Sequence, residues 1–219
     1  MCDGHCVQGQ RPNELNDPND PNDHSGGPAF VELTRKAAWE LLTEFTTSDG
    51  LLKHALAVEA AVSGYARRFG ENEEHWGVVA LLHDFDYERW PSAEDHPFRG
   101  VAILKERGYP EWVTRAILSH ADYSGVTRET PLEKTLFACD EMAGFVTASA
   151  LVRPSKSVLD LEPKSVMRRM KDKAFARAVK REDLRAGAQA LALPLDQHIA
   201  NVISSMRVQA DALGLRGTL

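Results

Sequence analysis

Long apolar runs are missing from this sequence. None approaches the roughly 20 residues of a membrane-spanning helix, so no span is expected. Nor does the start join a charged segment to an apolar one, and no secretory leader is expected there. Cysteine is scarce: Cys2, Cys6 and Cys139 are too few and too scattered for a disulfide framework, which makes a reducing cytoplasm the expected location. No segment alternates apolar and polar residues long enough to read as a strand. An excess of positive charge is also lacking, since 26 Lys and Arg face 32 Asp and Glu for a net charge of −6. That balance excludes a nucleic-acid coat, and no stable nucleic-acid or membrane partner is expected. The oligomeric state is left open, a homodimer included.

What is present is helical periodicity. Residues 1–28, with the repeat "NDPNDPND" and then "HSGGP", are nearly free of apolar side chains and read as a disordered tail, because ordering them would cost entropy with little burial to offset it. Cys2, His5 and Cys6 in that tail could bind a soft metal only weakly, and the plainer reading is a disordered leader, since such a tail offers no preorganised site. From Phe30 onward apolar residues recur near the 3.6 period, as at Val31, Leu33, Ala37, Ala38, Leu41, Leu42 and Phe45. Ser48 and Asn72 stand where helix caps belong, and Pro110, Pro131 and Pro194 stand at helix starts. The expected architecture is an all-α bundle of roughly eight helices. It forms one domain over 29–219, with a metal core at about 48–150 and a basic lid with the C-terminal helices at 151–219. A basic helix is expected over about 164–180, and the last helix is expected to run to about Leu213.

The chain has eight His. His5 and His24 lie in the tail, while His75 and His198 read as structural or solvated. The other four stand in apolar settings: His54 inside "LLKHALAVE", His83 closing "ALL", His96 at a helix start, and His120 closing "TRAILSH". Asp84 follows His83 directly, and Asp140 is planted in "LFACDEMAGF". A lone His on an apolar face is usually a satisfied core residue. A buried Asp is costly unless paired or bound to a metal. Six such residues on successive helical segments are satisfied together by a metal centre. Adjacent helical residues project about 100° apart, so His83 and Asp84 can address one cluster only near a helix end. Asp84 is the natural bridge, because one carboxylate offers an oxygen to each of two metals. Imidazole with carboxylate suits Fe, Mn, Zn or Co without choosing among them.

The order His, His-Asp, His, His, Asp resembles the HD superfamily of metal-dependent phosphohydrolases, in its two-metal subset. The likeness is carried by His54, the His83-Asp84 doublet, His96, His120 and Asp140. The wider run "LLKHALAVEAA … HDFDYE … LVRPSK … KSVMRRMKDKAFA" resembles a group of small bacterial proteins described as predicted HD hydrolases. The resemblance implies an HD-type helical bundle and two divalent transition metals. His54, His83, Asp84 and Asp140 would hold the first, and Asp84, His96 and His120 the second. A hydroxide bridging them would be a nucleophile near neutral pH, so the expected activity is hydrolysis of a small phosphomonoester or phosphodiester, a nucleotide included. The same six residues also serve mixed-valent di-iron oxygenases of this type, acting on a phosphonate or polyol. A third reading is a nucleotide sensor without catalysis.

Two further sets complete the expectation. Asp86, two residues past the doublet, is placed beside Asp84 in the catalytic set as the group orienting a ligand His or the attacking water, with a loop-capping role as the plainer reading. Tyr87, Trp90 and Phe98 read as pocket wall or core. Between Arg153 and Arg181 ten basic residues face three acidic ones. Most read as a solvated helix face. Arg153, Lys156, Lys171 and Lys173, with Arg99 one turn after His96, are the candidate contacts for the phosphate of a small phosphorylated substrate.

Overall fold

The architecture is all-α. A computed structural model describes residues 31–218, so the tail and the readings placed on it lie outside the described residues. Among the described residues nine α-helices follow one another: α1 Arg35–Phe45, α2 Asp49–Phe69, α3 Glu73–Leu82, α4 Phe98–Glu106, α5 Glu111–His120, α6 Pro131–Leu151, α7 Pro163–Arg169, α8 Arg181–Ala190 and α9 Leu195–Val208. Two of these, α2 and α6, are long and central. α2 packs on α3, α6 and α9, while α6 also packs on α5 and α8.

Local chemistry sets most of the boundaries. Thr34 caps α1, its side chain accepting from the Ala37 N–H, so the helix starts at Arg35 and not near Phe30. Asn72 caps α3 through Oδ1 to the His75 N–H at 2.9 Å. Thr130 and Glu133 form a reciprocal capping box at the start of α6, with Pro131 in the first turn. Ser48 makes no side-chain cap for α2. Instead the Glu88 carboxylate accepts from the N–H groups of Thr47 and Ser48 at 2.8 and 2.9 Å. A distant acid thus does the capping and ties residues 83–90 to the head of α2.

The expected basic helix over 164–180 is shorter than its composition suggests. It ends at Arg169, and residues 170–180 form turns. Arg181 gives the reason. Its guanidinium donates to the carbonyls of Asp172, Phe175, Ala176 and Val179, replacing the helical hydrogen bonds those groups would otherwise need. Phe175 meanwhile packs edge-on against Phe145 with ring centroids 5.3 Å apart. Tertiary partners here outweigh local helical preference. The last helix likewise stops at Val208, short of Leu213, and turns follow.

Behind the site a polar network joins three helices. His198 of α9 donates from Nε2 to the Ala138 carbonyl of α6 at 2.9 Å and accepts from the Tyr65 hydroxyl of α2 at 2.6 Å. Tyr65 in turn accepts from Asn201 at 3.2 Å. Burial holds the His198 pKa below its ordinary value, as a neutral structural histidine requires. α8 crosses α6 closely at Gly187, where a Cβ would come 2.7 Å from the Ala138 Cα. These contacts fix the α6 register that carries Asp140.

Candidate metal centre

Five segments deliver the site. His54 lies in the second turn of α2. α3 ends at Leu82, and His83 is its C-terminal cap in right-handed backbone. From there residues 83–89 and 93–97 run in consecutive turns, which carry Asp84, Asp86 and His96. His120 is the last residue of α5, and Asp140 lies in α6. The turn at His83 resolves the angular problem posed by two adjacent ligand types, since the chain leaves the helix between them. Phe85 anchors that turn. It is fully buried, packs edge-on against Phe45 at 5.2 Å, and its carbonyl accepts from the Thr46 hydroxyl at 3.0 Å.

The six side chains converge as two groups that share Asp84. In the first, His54 Nε2 lies 3.0 Å from Asp140 Oδ1 and 3.8 Å from Asp84 Oδ2. His83 Nε2 lies 3.2 Å from Asp84 Oδ2 and 3.4 Å from Asp140 Oδ1. In the second, His96 Nε2 and His120 Nε2 lie 3.2 and 3.3 Å from Asp84 Oδ1 and 3.4 Å from each other. One oxygen of Asp84 therefore faces each group.

Three of the four imidazoles are oriented from behind. His83 Nδ1 donates to the Ala80 carbonyl at 2.7 Å and His120 Nδ1 to the Ile117 carbonyl at 2.5 Å. His96 Nδ1 donates to Asp86 Oδ1 at 2.8 Å. With the proton held on Nδ1, each Nε2 presents a lone pair inward, the form in which imidazole binds a metal. His83 Nε2 is completely buried and has no hydrogen-bond partner among the described residues. A polar atom left so in a protein interior is costly, and a cation between the carboxylates would satisfy it. The donor set thus fits one divalent transition metal in each group.

The charges agree. Burial alone would lower the His83 pKa, but the carboxylates of Asp84 and Asp140 outweigh it and hold the group well above its ordinary value. His96, also opposed by burial, is pushed up to about 9 by Asp84 and Asp86. Asp84 and Asp140 are held below the usual carboxylate range by the imidazoles despite burial, which acts the other way. Protons bind where cations would, so metal uptake must expel them.

Asp86 stands behind His96 and is fully buried. Its second oxygen accepts from the Gly100 N–H at 2.8 Å, at the start of α4. It holds a histidine and caps a loop at once, and it does not line the cavity. Replacing Asp86 with Asn should weaken metal binding at the His96 and His120 group by about 10–100-fold, the usual cost of losing such a partner, with helical circular dichroism unchanged. Gly100→Ala should act in the same direction, because its Cβ would come 2.7 Å from the Asp86 carboxyl carbon. Metal titration of both variants checks this, and unaltered affinity would reduce Asp86 to a loop cap.

A cavity of about 310 Å³ opens on the cluster. His54, Asp84, His96, His120 and Asp140 line it, together with Tyr87, Tyr123, Phe137, Asp122, Glu141, Asp183 and Lys180. Of the three aromatics expected near the site, only Tyr87 reaches it; Trp90 packs on Phe45 and Phe98 lies elsewhere on the surface. The five expected phosphate contacts do not reach it either. Arg99 pairs with Asp95 at 2.6 Å and stacks on Trp90. Arg153 pairs with Asp160 at 2.7 Å, and Lys156 lies in the same loop. Lys171 and Lys173 are exposed in the turns after α7. The cation present is Lys180, which precedes α8 and which its neighbours in the basic run had obscured. Tyr123, in the 3₁₀ turn Asp122–Ser124, and Asp183 carry no sequence signal of their own.

Scaffold and site together define a class: a helical protein with a candidate His/Asp metal centre at a cleft. Residues 51–144 match the family model for the HD domain, a span that includes all six residues from His54 to Asp140. Over those residues the chain is similar to the HD domain, a family made up mostly of metal-dependent phosphohydrolases. Comparison with curated proteins and comparison with solved structures each return no significant match.

Proposed function

We propose that this chain is a dinuclear metal-dependent phosphohydrolase acting on a small phosphate ester. The observation that carries the reading is the divided carboxylate of Asp84, with Oδ2 facing His83 and His54 and Oδ1 facing His96 and His120. Divalent transition metals held there would supply Lewis acidity toward phosphoryl oxygens and a water acidic enough to attack near neutral pH. The chain itself does the rest. His54, His83 and Asp140 define one position and His96 and His120 the other, while Asp86 keeps His96 in its inward orientation. Tyr87, Tyr123 and Phe137 wall the cavity, and Lys180 offers the positive charge for a phosphoryl oxygen. The cavity is large enough for a small organic phosphate and lies at the lower end of the range for ligand sites. No helix of the described residues is long and apolar enough to cross a membrane.

Hydrolysis and oxygen activation make opposite demands. A panel of phosphomonoesters, phosphodiesters and nucleotides, run with Mn, Fe, Co and Zn loaded separately, should reveal turnover that is unchanged when oxygen is excluded. Turnover that requires oxygen, with a mixed-valent iron EPR signal, would replace the phosphohydrolase by an oxygenase on the same six residues.

A further inference from the structure

The cavity holds more acid than the metal positions account for. Besides Asp84 and Asp140 it is lined by Asp122, Glu141 and Asp183, against Lys180 alone among Lys and Arg. Asp122 is matched by an ion pair with Arg128. Glu141 and Asp183 form no ion pair within 4.0 Å among the described residues, though Lys180 and Arg128 lie near enough to act on Asp183 through space. They come from different helices, α6 and α8, so their convergence is a tertiary feature and not a charged run along one surface. The same cavity is bounded by Asp84 and Asp140, between which the buried and unpartnered Nε2 of His83 is aimed. A ligand-receiving centre and two carboxyl groups without an ion pair therefore share one small space.

Those carboxylates discriminate by charge. An alkyl phosphate with an uncharged tail would bring only negative charge toward Glu141 and Asp183 and would gain nothing from them. A tail ending in an ammonium would give both an ion partner, and the charge-assisted hydrogen bonds formed are stronger than neutral ones. Resting on the phosphate-ester reading above, we propose that the cleft takes a zwitterionic substrate: a small phosphate ester whose alkyl tail carries an ammonium group. The phosphoryl oxygens face Lys180 and the metal positions, and the ammonium is bound by Glu141 and Asp183. These two acids determine specificity and take no part in bond cleavage.

Calorimetric titration of the Mn-loaded full chain with 3-aminopropylphosphonate and with n-butylphosphonate tests this. The two ligands have the same number of heavy atoms and the same phosphonate group, and neither contains an ester that hydrolysis could consume. The amino ligand should bind at least about tenfold more tightly. Glu141→Gln combined with Asp183→Asn, loaded to the same metal content, should erase that ratio without weakening n-butylphosphonate. Asp183→Asn alone, on a helix that carries none of the six residues, should reduce it. Equal affinities in the unaltered chain, or a ratio preserved in the double variant, would overturn the proposal while leaving the phosphate reading intact. Failure of both phosphonates to bind would overturn the phosphate reading and this inference with it.

Discussion

Asp84→Ala should lose both metals and all measurable turnover. Asp84 is the one residue common to the two groups, with both carboxylate oxygens engaged: Oδ2 lies 3.2 Å from His83, and Oδ1 3.2 and 3.3 Å from His96 and His120. Truncating it leaves the first group without one of its two carboxylates and the second with imidazoles alone. The loss should exceed the roughly 10–100-fold that removing a mere supporting partner costs. Helical circular dichroism should survive, because the side chain packs no core and α3 ends before it. Asp84→Asn keeps the shape without the charge and should fail in the same way, which separates a missing ligand from a hole in the structure. Turnover retained by either variant, measured alongside metal content, would sink the mechanism.

Phe85→Ala should be the most destabilising single change among the residues that frame the site. Phe85 is fully buried and holds the turn between Asp84 and Asp86 against Phe45 of α1. A Phe-to-Ala truncation in such a setting costs about 3–5 kcal/mol, from lost burial and from the cavity left behind. Domains are typically stable by only about 5–15 kcal/mol, so the variant should unfold at much lower denaturant. Equilibrium unfolding of both proteins in the metal-free state measures the difference. A loss under about 1 kcal/mol would mean the turn is held chiefly by its hydrogen bonds to Thr46, Thr47 and Ser48, and not by the aromatic anchor.

Much of this arrangement is legible in the amino-acid order, and the parts that are not have a common cause. Periodicity and caps such as Asn72 and Thr130 are local, and they locate most of the helices. The six residues stand out because each is a polar side chain in an apolar setting, a contrast readable at a single position. The geometry of the Asp84 carboxylate, with one oxygen toward each group, follows from ending α3 at Leu82. By contrast, the basic run between Arg153 and Arg181 shows charge without direction. Only the fold reveals that Arg153 is matched by Asp160, that Arg181 is turned inward onto four carbonyls, and that Lys180 alone of that run reaches the cavity. Glu141 and Asp183 were hidden for the same reason, since a surface acid and a cavity acid look alike until helices from distant parts of the chain are packed. Asp86 meets the His96 ring ten residues on, a partner beyond the reach of any local rule.

If one carboxylate joins two metal positions, the number of metal ions held per chain must show it. Elemental analysis of chain loaded with Mn, Fe, Co or Zn and freed of excess should find close to two ions per chain, one for each group around Asp84. That value is expected for the unaltered protein, and near zero for Asp84→Ala. A chain that cannot be loaded beyond one ion under any of these conditions would contradict it.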